Sequence, residues 1–323
     1  MIGKKKRRET AIQKELLLLQ KQEEKLAEAA MKASGGSWKE SLERKLPAKV
    51  YEGLQSAFCK GFALVFDKGR VLIEKSYDKE SLQEDQRIRD YAFQVKGSRR
   101  ELKQLRKSAR QSELANLTVT TVEGLGLGAL GIGLPDIVLF LSTLLRGIYE
   151  TALGYGFDYT QRSEQILILK MMAAALSTGK EWERLNREVE QGPLPPEQIT
   201  EANFQAQLQE TASAFALDML LLKFIQGLPV VGLIGGAANP VYYRKVMRYV
   251  QLKYHKRYLL QLLGGAHKTQ VKQQPRRNPR SCAALPSNRY ASIQCCGGWG
   301  QEISSISSIS RWNTAAWMLS AAL

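Results

Sequence analysis

Cysteine is scarce, with four in 323 residues: Cys59 stands alone in a helical pattern, and Cys282, Cys295 and Cys296 lie near the C-terminus. That is no disulfide framework, so a reducing cytoplasm is the expected compartment. Histidine is scarcer still, His255 and His267 being the pair. No His, Cys and carboxylate set has metal spacing and no Gly-x-Ser-x-Gly elbow occurs, which leaves zinc chemistry and serine hydrolysis poorly supported and calls for no metal or cofactor. Acidic residues are in deficit, 31 against 47 Lys and Arg, for a formal net charge of +16. Such an excess favours anionic partners, phospholipid head groups or nucleic acid. Without an accompanying nucleic-acid motif, nucleic acid ranks below lipid. An N-terminal apolar run is also missing: behind the basic cluster Lys4–Arg8 only Leu16 to Leu19 is continuous, shorter than the core of a secretory signal, so export is not expected.

What the chain does have is 44% hydrophobic content, enough for a real core. Its pattern is helical almost throughout. Residues 1–37 form a charged arm and linker, rich in Ala, Leu, Glu, Gln and Lys up to Lys32, read as a solvated helix ending in Ser34-Gly-Gly-Ser37. Residues 38–265 form the main domain. Pro47 stands where a helix would begin, and Leu54, Phe58, Gly61 and Val65 give it one buried face until about Gly69. Two amphipathic helices between Asp78 and Glu113, divided at Gly97-Ser98, carry Leu82, Ile88, Tyr91, Val95, Leu102, Leu105 and Ala109. Leu117 to Val122 reads equally as a short strand or as the start of a helix. From Tyr242 to Leu263 an amphipathic helix places Tyr243, Val246, Val250, Tyr254 and Tyr258 on one stripe, with Gly264-Gly265 as its stop. Residues 266–323 change to a basic, Ser- and Cys-containing composition without a period, and are expected to be disordered; an altered reading frame or a fusion would explain the change.

Two apolar glycine-rich stretches organise the rest, Gly124 to Leu145 and its looser echo from Ala212 to Tyr243. Gly126, Gly128 and Gly131 fit a dinucleotide-binding pattern, with Glu150 at the distance a ribose-binding acid would take, but no β-α-β alternation surrounds them and the reading is set aside. Close helix approach, through Gly124 with Gly128 and Gly232 with Gly236, is the commoner use of such spacing. Leu125 to Leu145 is long enough to cross a hydrocarbon core. Pro135 and Asp136 fall at its centre, where the acid costs about 2.5 to 3.5 kcal/mol on insertion, so a buried helix or re-entrant hairpin fits better than a simple span. Asp136 instead suits the first turn of a helix restarted at Gly133. The other ionisable groups in apolar surroundings, Glu123, Lys170, Asp218 and Lys223, are read as structural: they sit on polar faces or pair internally.

The run Gly133-Leu-Pro135-Asp136, Arg146 and Tyr155-Gly156-Phe-Asp158 followed by Glu164 resembles the signature of the EcsC protein family. Gly227-Leu-Pro-Val-Val-Gly232, Gly235-Gly236, Asn239 and the basic segment Tyr242–Lys245 are similar to that family's C-terminal half, and the resemblance spans Val50 to Leu263. It implies a link to transport or envelope processes and brings no reaction with it, so no catalytic residue is carried over.

The expected fold is therefore all-α, a multi-helix domain built around two glycine-rich apolar helical hairpins. The expected role is membrane association at the inner face, peripheral or partly inserted, through those hairpins and the basic Tyr-rich helix, whose Arg244, Lys245, Arg248, Lys256 and Arg257 would contact an anionic surface at roughly 1 kcal/mol each. A membrane protein is the other partner considered. The competing readings are a soluble helical enzyme of hydrolase type with an unrecognised acid/base site, and an interaction module that never touches lipid.

Overall fold

Proline 47 sets the first turn of the core. Its φ of −63° is that of a helix entry, and its carbonyl accepts the Val50 and Tyr51 N–H groups at 2.9 and 3.1 Å, so the chain turns directly into a helix. The computed structural model describes residues 2–34, 47–115, 134–225 and 239–272, all within one compact unit, Met1–Gln273. In order the helices are α1 (Ile2–Ser34), α2 (Ala48–Leu64), α3 (Arg70–Lys75), α4 (Lys79–Lys96), α5 (Arg99–Ala115), α6 (Leu134–Gly154), α7 (Arg162–Leu176), α8 (Gly179–Gln191), α9 (Glu201–Ile225) and α10 (Asn239–Lys272). No strand occurs among the described residues, and the all-α expectation stands. The glycine-rich cores of the two stretches, Leu117 to Val122, the side chains of Glu123 and Lys223, and the tail beyond Lys272 lie outside the described residues.

Helix α2 does not stop at Gly69. A π-helical turn, Val65–Gly69, carries it into α3, since Gly69 keeps a right-handed φ of −75° and gives no left-handed stop. The turn brings Phe66 edge-on to Phe204 of α9, 5.6 Å between centroids, while Phe58 and Phe62 meet Phe215 at 5.3 and 5.5 Å. These contacts make α2 and α9 antiparallel. Helices α4 and α5 form the expected hairpin: Asp78 caps α4 through the Ser81 N–H, and Gly97, at φ +62°, ends it. Phe93, Leu102, Leu105 and Ala109 face the core, but Ile88, Tyr91 and Val95 are exposed. Helical spacing identified that face, not the side on which the neighbours lie.

Helix α6 runs through the centre. It is the one described helix long and apolar enough to cross a membrane, and 78% of its most apolar window is buried inside the protein. Its surroundings are other helices, so this half of the first apolar stretch is core. Close approach is achieved at helical glycines of the bundle: an added Cβ at Gly61 would stand 2.7 Å from Ile137 Cγ2, one at Gly154 3.0 Å from Ala109 Cβ, and one at Gly147 would overlap the Tyr243 hydroxyl.

Helix α10 is the other central element. Between Tyr249 and His255 it is buried on every side, beyond the single stripe its sequence suggests, and it continues through Gly264-Gly265 to Lys272. Helix α1 is no solvated arm: Ala11, Ile12, Glu15, Leu19 and Ala30 are buried where it lies on α5, α8 and α10. These positions, with Glu23 and Leu26, form a stripe at 3.6-residue spacing. Because two members are glutamates, the stripe does not register as hydrophobic.

Candidate functional site

The turn from α6 to α7 gathers the first group of motif residues. Tyr155 is buried and stacks on the His255 ring at 5.5 Å, with Tyr258 at 5.8 Å. Gly156 follows at φ +79°, where an L side chain is strained and where a Cβ would press on Gln86 at 3.0 Å. Asp158 is exposed and closes the turn: its carboxylate accepts the Thr160 N–H at 3.0 Å and the Thr160 hydroxyl at 2.6 Å. Burial would raise its pKa, but those bonds and the Gln161 amide hold it below the ordinary carboxylate value. It closes the turn without capping the next helix, for α7 begins after Gln161.

Beneath the turn lies a buried polar layer. Arg146 donates from Nε to Glu150 Oε1 at 3.0 Å, one helical turn on. The acid considered for a ribose is thus an ion-pair partner in mid-helix. Tyr159 stacks on Tyr149 with centroids 4.0 Å apart and donates to Glu74 at 3.0 Å. Its oxygen lies 2.7 Å from the Tyr77 hydroxyl, which then donates to it. Burial pushes all three phenols well above their ordinary pKa, so they stay neutral, and Tyr77 and Tyr159 act as donors rather than bases. The Tyr149 hydroxyl and Glu150 Oε2 are buried without a hydrogen-bond partner among the described residues.

On α7, Glu164 accepts from the Tyr254 hydroxyl at 2.8 Å and from both Arg257 terminal nitrogens at 2.6 and 3.0 Å. Arg257 also lies 4.1 Å from the Phe157 ring centroid. Lys256 bonds Glu23 of α1 and Glu190 of α8, and the buried Lys253 bonds the same two acids. Burial alone would lower the Lys256 pKa and raise that of Glu190; mutual attraction reverses both, raising Lys256 and holding Glu190 at about 2. Lys256 and Arg257, expected to face an anionic surface, are therefore internally matched. Lys170 and Asp218 are paired as well, with Glu188 at 2.8 Å and Lys245 at 3.0 Å.

Of the remaining positions, the described ones lie near the starts of α6 and α10. Pro135 and the exposed Asp136 form the first turn of α6, and Asn239 opens α10. Gly133, Gly232 and Gly236 are outside the described residues. Arg244, Lys245 and Arg248 are exposed along the first turns of α10. The fold thus brings Tyr155, Gly156 and Asp158 together in the turn after α6, leaves Arg146 two turns back along that helix, and sets the three cations near the start of α10. Two hollows match this division. A cleft of about 510 Å³, bordered by Tyr155, Gly156, Asp90, Tyr258 and Arg8, opens beside the turn, and a groove of about 380 Å³ runs beside the three cations.

Among the described residues no three His, Cys, Asp or Glu side chains are placed to hold a metal. The buried carboxylates Glu150 and Glu164 are each engaged by an arginine, Glu150 within α6 and Glu164 between α7 and α10. Sequence reasoning missed the Tyr77–Tyr159–Glu74 chain and the acids of α1. The 15, 19, 23, 26 spacing was the available signal for the latter; nothing local marks the former, whose partners lie more than 80 positions apart.

Fold and site together define an all-helical protein in which motif residues such as Glu164 and Tyr242 join neighbouring helices by hydrogen bonds. The EcsC protein family model matches residues 10–259, and the chain belongs to that family. The match takes in most of α1, further toward the N-terminus than the resemblance from Val50 suggested. No curated protein and no solved structure matches the chain.

Proposed function

We propose that the protein attaches to the inner face of a membrane by the end of the bundle that carries Arg244, Lys245 and Arg248, in a role connected with transport or the cell envelope. The observation that carries this reading is the convergence of the helix ends flanking the two glycine-rich apolar segments. Phe140 near the start of α6 packs on Phe215 of α9; Asp218, further along α9, receives Lys245 and, on its carbonyl, the Tyr242 hydroxyl of α10. The start of α6, the later turns of α9 and the start of α10 are neighbours. Leu139 of α6 and Val241 of α10 are 36% and 47% exposed. Exposed apolar side chains at an end that also carries exposed cations suit an interface with anionic head groups, where each cation contributes about 1 kcal/mol and the apolar groups add burial.

The test is flotation of the purified full chain with vesicles of phosphatidylcholine containing phosphatidylglycerol, at low salt. Wild type floats, and Leu139→Asp with Val241→Asp, both at exposed positions, lowers the bound fraction at least fivefold with an unchanged circular dichroism spectrum. Wild-type protein that stays at the bottom of the gradient defeats the proposal.

A further inference from the structure

We propose that the groove between α1, the α7–α8 junction and α10 is a binding site for one anionic phospholipid molecule, its phosphate held by Arg244 and Arg248 and the start of its acyl chains lying along an alanine-lined floor. Three observations combine. The floor is apolar: Leu26 and Ala30 of α1, Ala175 of α7 and Trp182 of α8 line it. The rim is cationic: Arg244, Lys245 and Arg248 border it, and among the described lining residues there is no Asp or Glu, in contrast to the cleft beside Tyr155, where Glu9 and Asp90 balance Lys5 and Arg8. Lys245 is matched by Asp218 at 3.0 Å, whereas Arg248 makes no ion pair among the described residues and is exposed. The volume, about 380 Å³, is that of a small-ligand site.

An apolar trough with a cationic rim and no acid in its lining fits an amphiphile with a phosphate head, since a guanidinium fork matches phosphate oxygens while alanines admit methylenes closely. Position decides the source. The groove lies beside the first turns of α10, at the end assigned to the membrane, and the inference rests on that reading for lipid as the supplier.

Dihexanoyl phosphatidylglycerol, used below its micelle concentration, tests the groove without a bilayer. Binding is read as the change in fluorescence of the full chain that is absent from Trp182→Phe. Saturable binding is expected, at least tenfold tighter than that of dihexanoyl phosphatidylcholine or of glycerol phosphate, and weakened at least tenfold by Arg244→Gln with Arg248→Gln. Ala33→Phe, at an exposed wall position, blocks the trough and gives the same loss while leaving both arginines in place. No saturable change, equal affinity for the choline lipid, or equally tight binding of glycerol phosphate overturns the inference, the last marking a phosphate site with no lipid preference. Flotation without short-chain binding sinks the groove alone; short-chain binding without flotation sinks the membrane attachment alone.

Discussion

At the scale of single residues, the polar groups inside this bundle are placed where their removal leaves a charge or a void. Glu164 is the sharpest case, because it accepts three hydrogen bonds from α10 while only 5% exposed. Glu164→Gln strands the Arg257 guanidinium beside the Phe157 ring, and a loss of about 3 kcal/mol is expected in urea unfolding. Tyr254→Phe in the same background should then cost little further, which a double-mutant cycle reads. Gly147 makes the opposite kind of demand. Alanine is intrinsically the better helix former by roughly 1 kcal/mol, yet its methyl would overlap the Tyr243 hydroxyl where α10 crosses α6. Overpacking of about 1 to 3 kcal/mol wins, so Gly147→Ala lowers the unfolding midpoint. The same change at Gly53, where nothing lies within 4 Å, raises it or leaves it unchanged.

Between elements, α1 is held by charge as well as by its buried apolar residues. Glu15 receives Arg99 at 3.0 Å and also Arg106, and Glu23 receives Lys253 at 2.7 Å and Lys256 at 2.9 Å, while Glu190 of α8 shares both lysines. This latch carries a pH signature. Glu190, held at about 2 against an ordinary 4.5, keeps its charge in the fold below the pH at which the unfolded chain takes up a proton. Its contribution is complete above about pH 4.5, declines as pH falls, and is gone below about pH 2. A shift of that size corresponds to about 3 kcal/mol, but the Glu190 side chain is 35% exposed and solvent screening reduces the expected effect to about 1 kcal/mol. Glu190→Gln should therefore flatten the acid limb of a stability–pH curve in that window and nowhere else. Lys256, with its pKa raised, is complete below its unfolded value and is lost as pH climbs through the folded one, so the latch loosens again in strong alkali.

For the whole molecule, the charge excess is spent unevenly. Of the five cations first grouped on α10, Lys256 and Arg257 neutralise acids of α1, α7 and α8, Lys245 pairs with Asp218, and Arg244 and Arg248 are exposed near the start of the helix. Attachment to anionic vesicles should accordingly be salt-sensitive in its first step. Raising ionic strength from about 0.1 to 1 M shortens the screening length from about 10 to 3 Å and is expected to reduce capture severalfold when salt precedes vesicles. Salt added after attachment should release little, because the apolar contribution does not depend on screening. Equal release in both orders of addition would place all the affinity in the charges.

Much of the fold was legible in the sequence. Helical spacing, Pro47, Asp78, Gly97 and the Asp158 turn delimit α2, α4, α5 and the start of α7 to within a few residues, because those signals act over one or two turns of backbone. The motif run from Pro135 to Asp158 identified the family for the same reason, as a local string. What remained hidden depends on partners distant in the chain. Ile88 and Tyr91 look as apolar as Phe93, and only the placement of α6 and α1 decides which of them is covered. Lys256 and Arg248 look alike on α10; one meets Glu23 across 233 positions, and the other meets solvent.

By itself the sequence determined the helical class, the excess of positive charge and the family, all properties of composition and of neighbours along the chain. The tertiary structure alone decided which glycines let helices touch, that α1 is part of the body, and which cations are left facing outward. Burial and charge pairing are set by distances in space, and in a bundle whose contacts link residues up to 233 positions apart no local pattern encodes them.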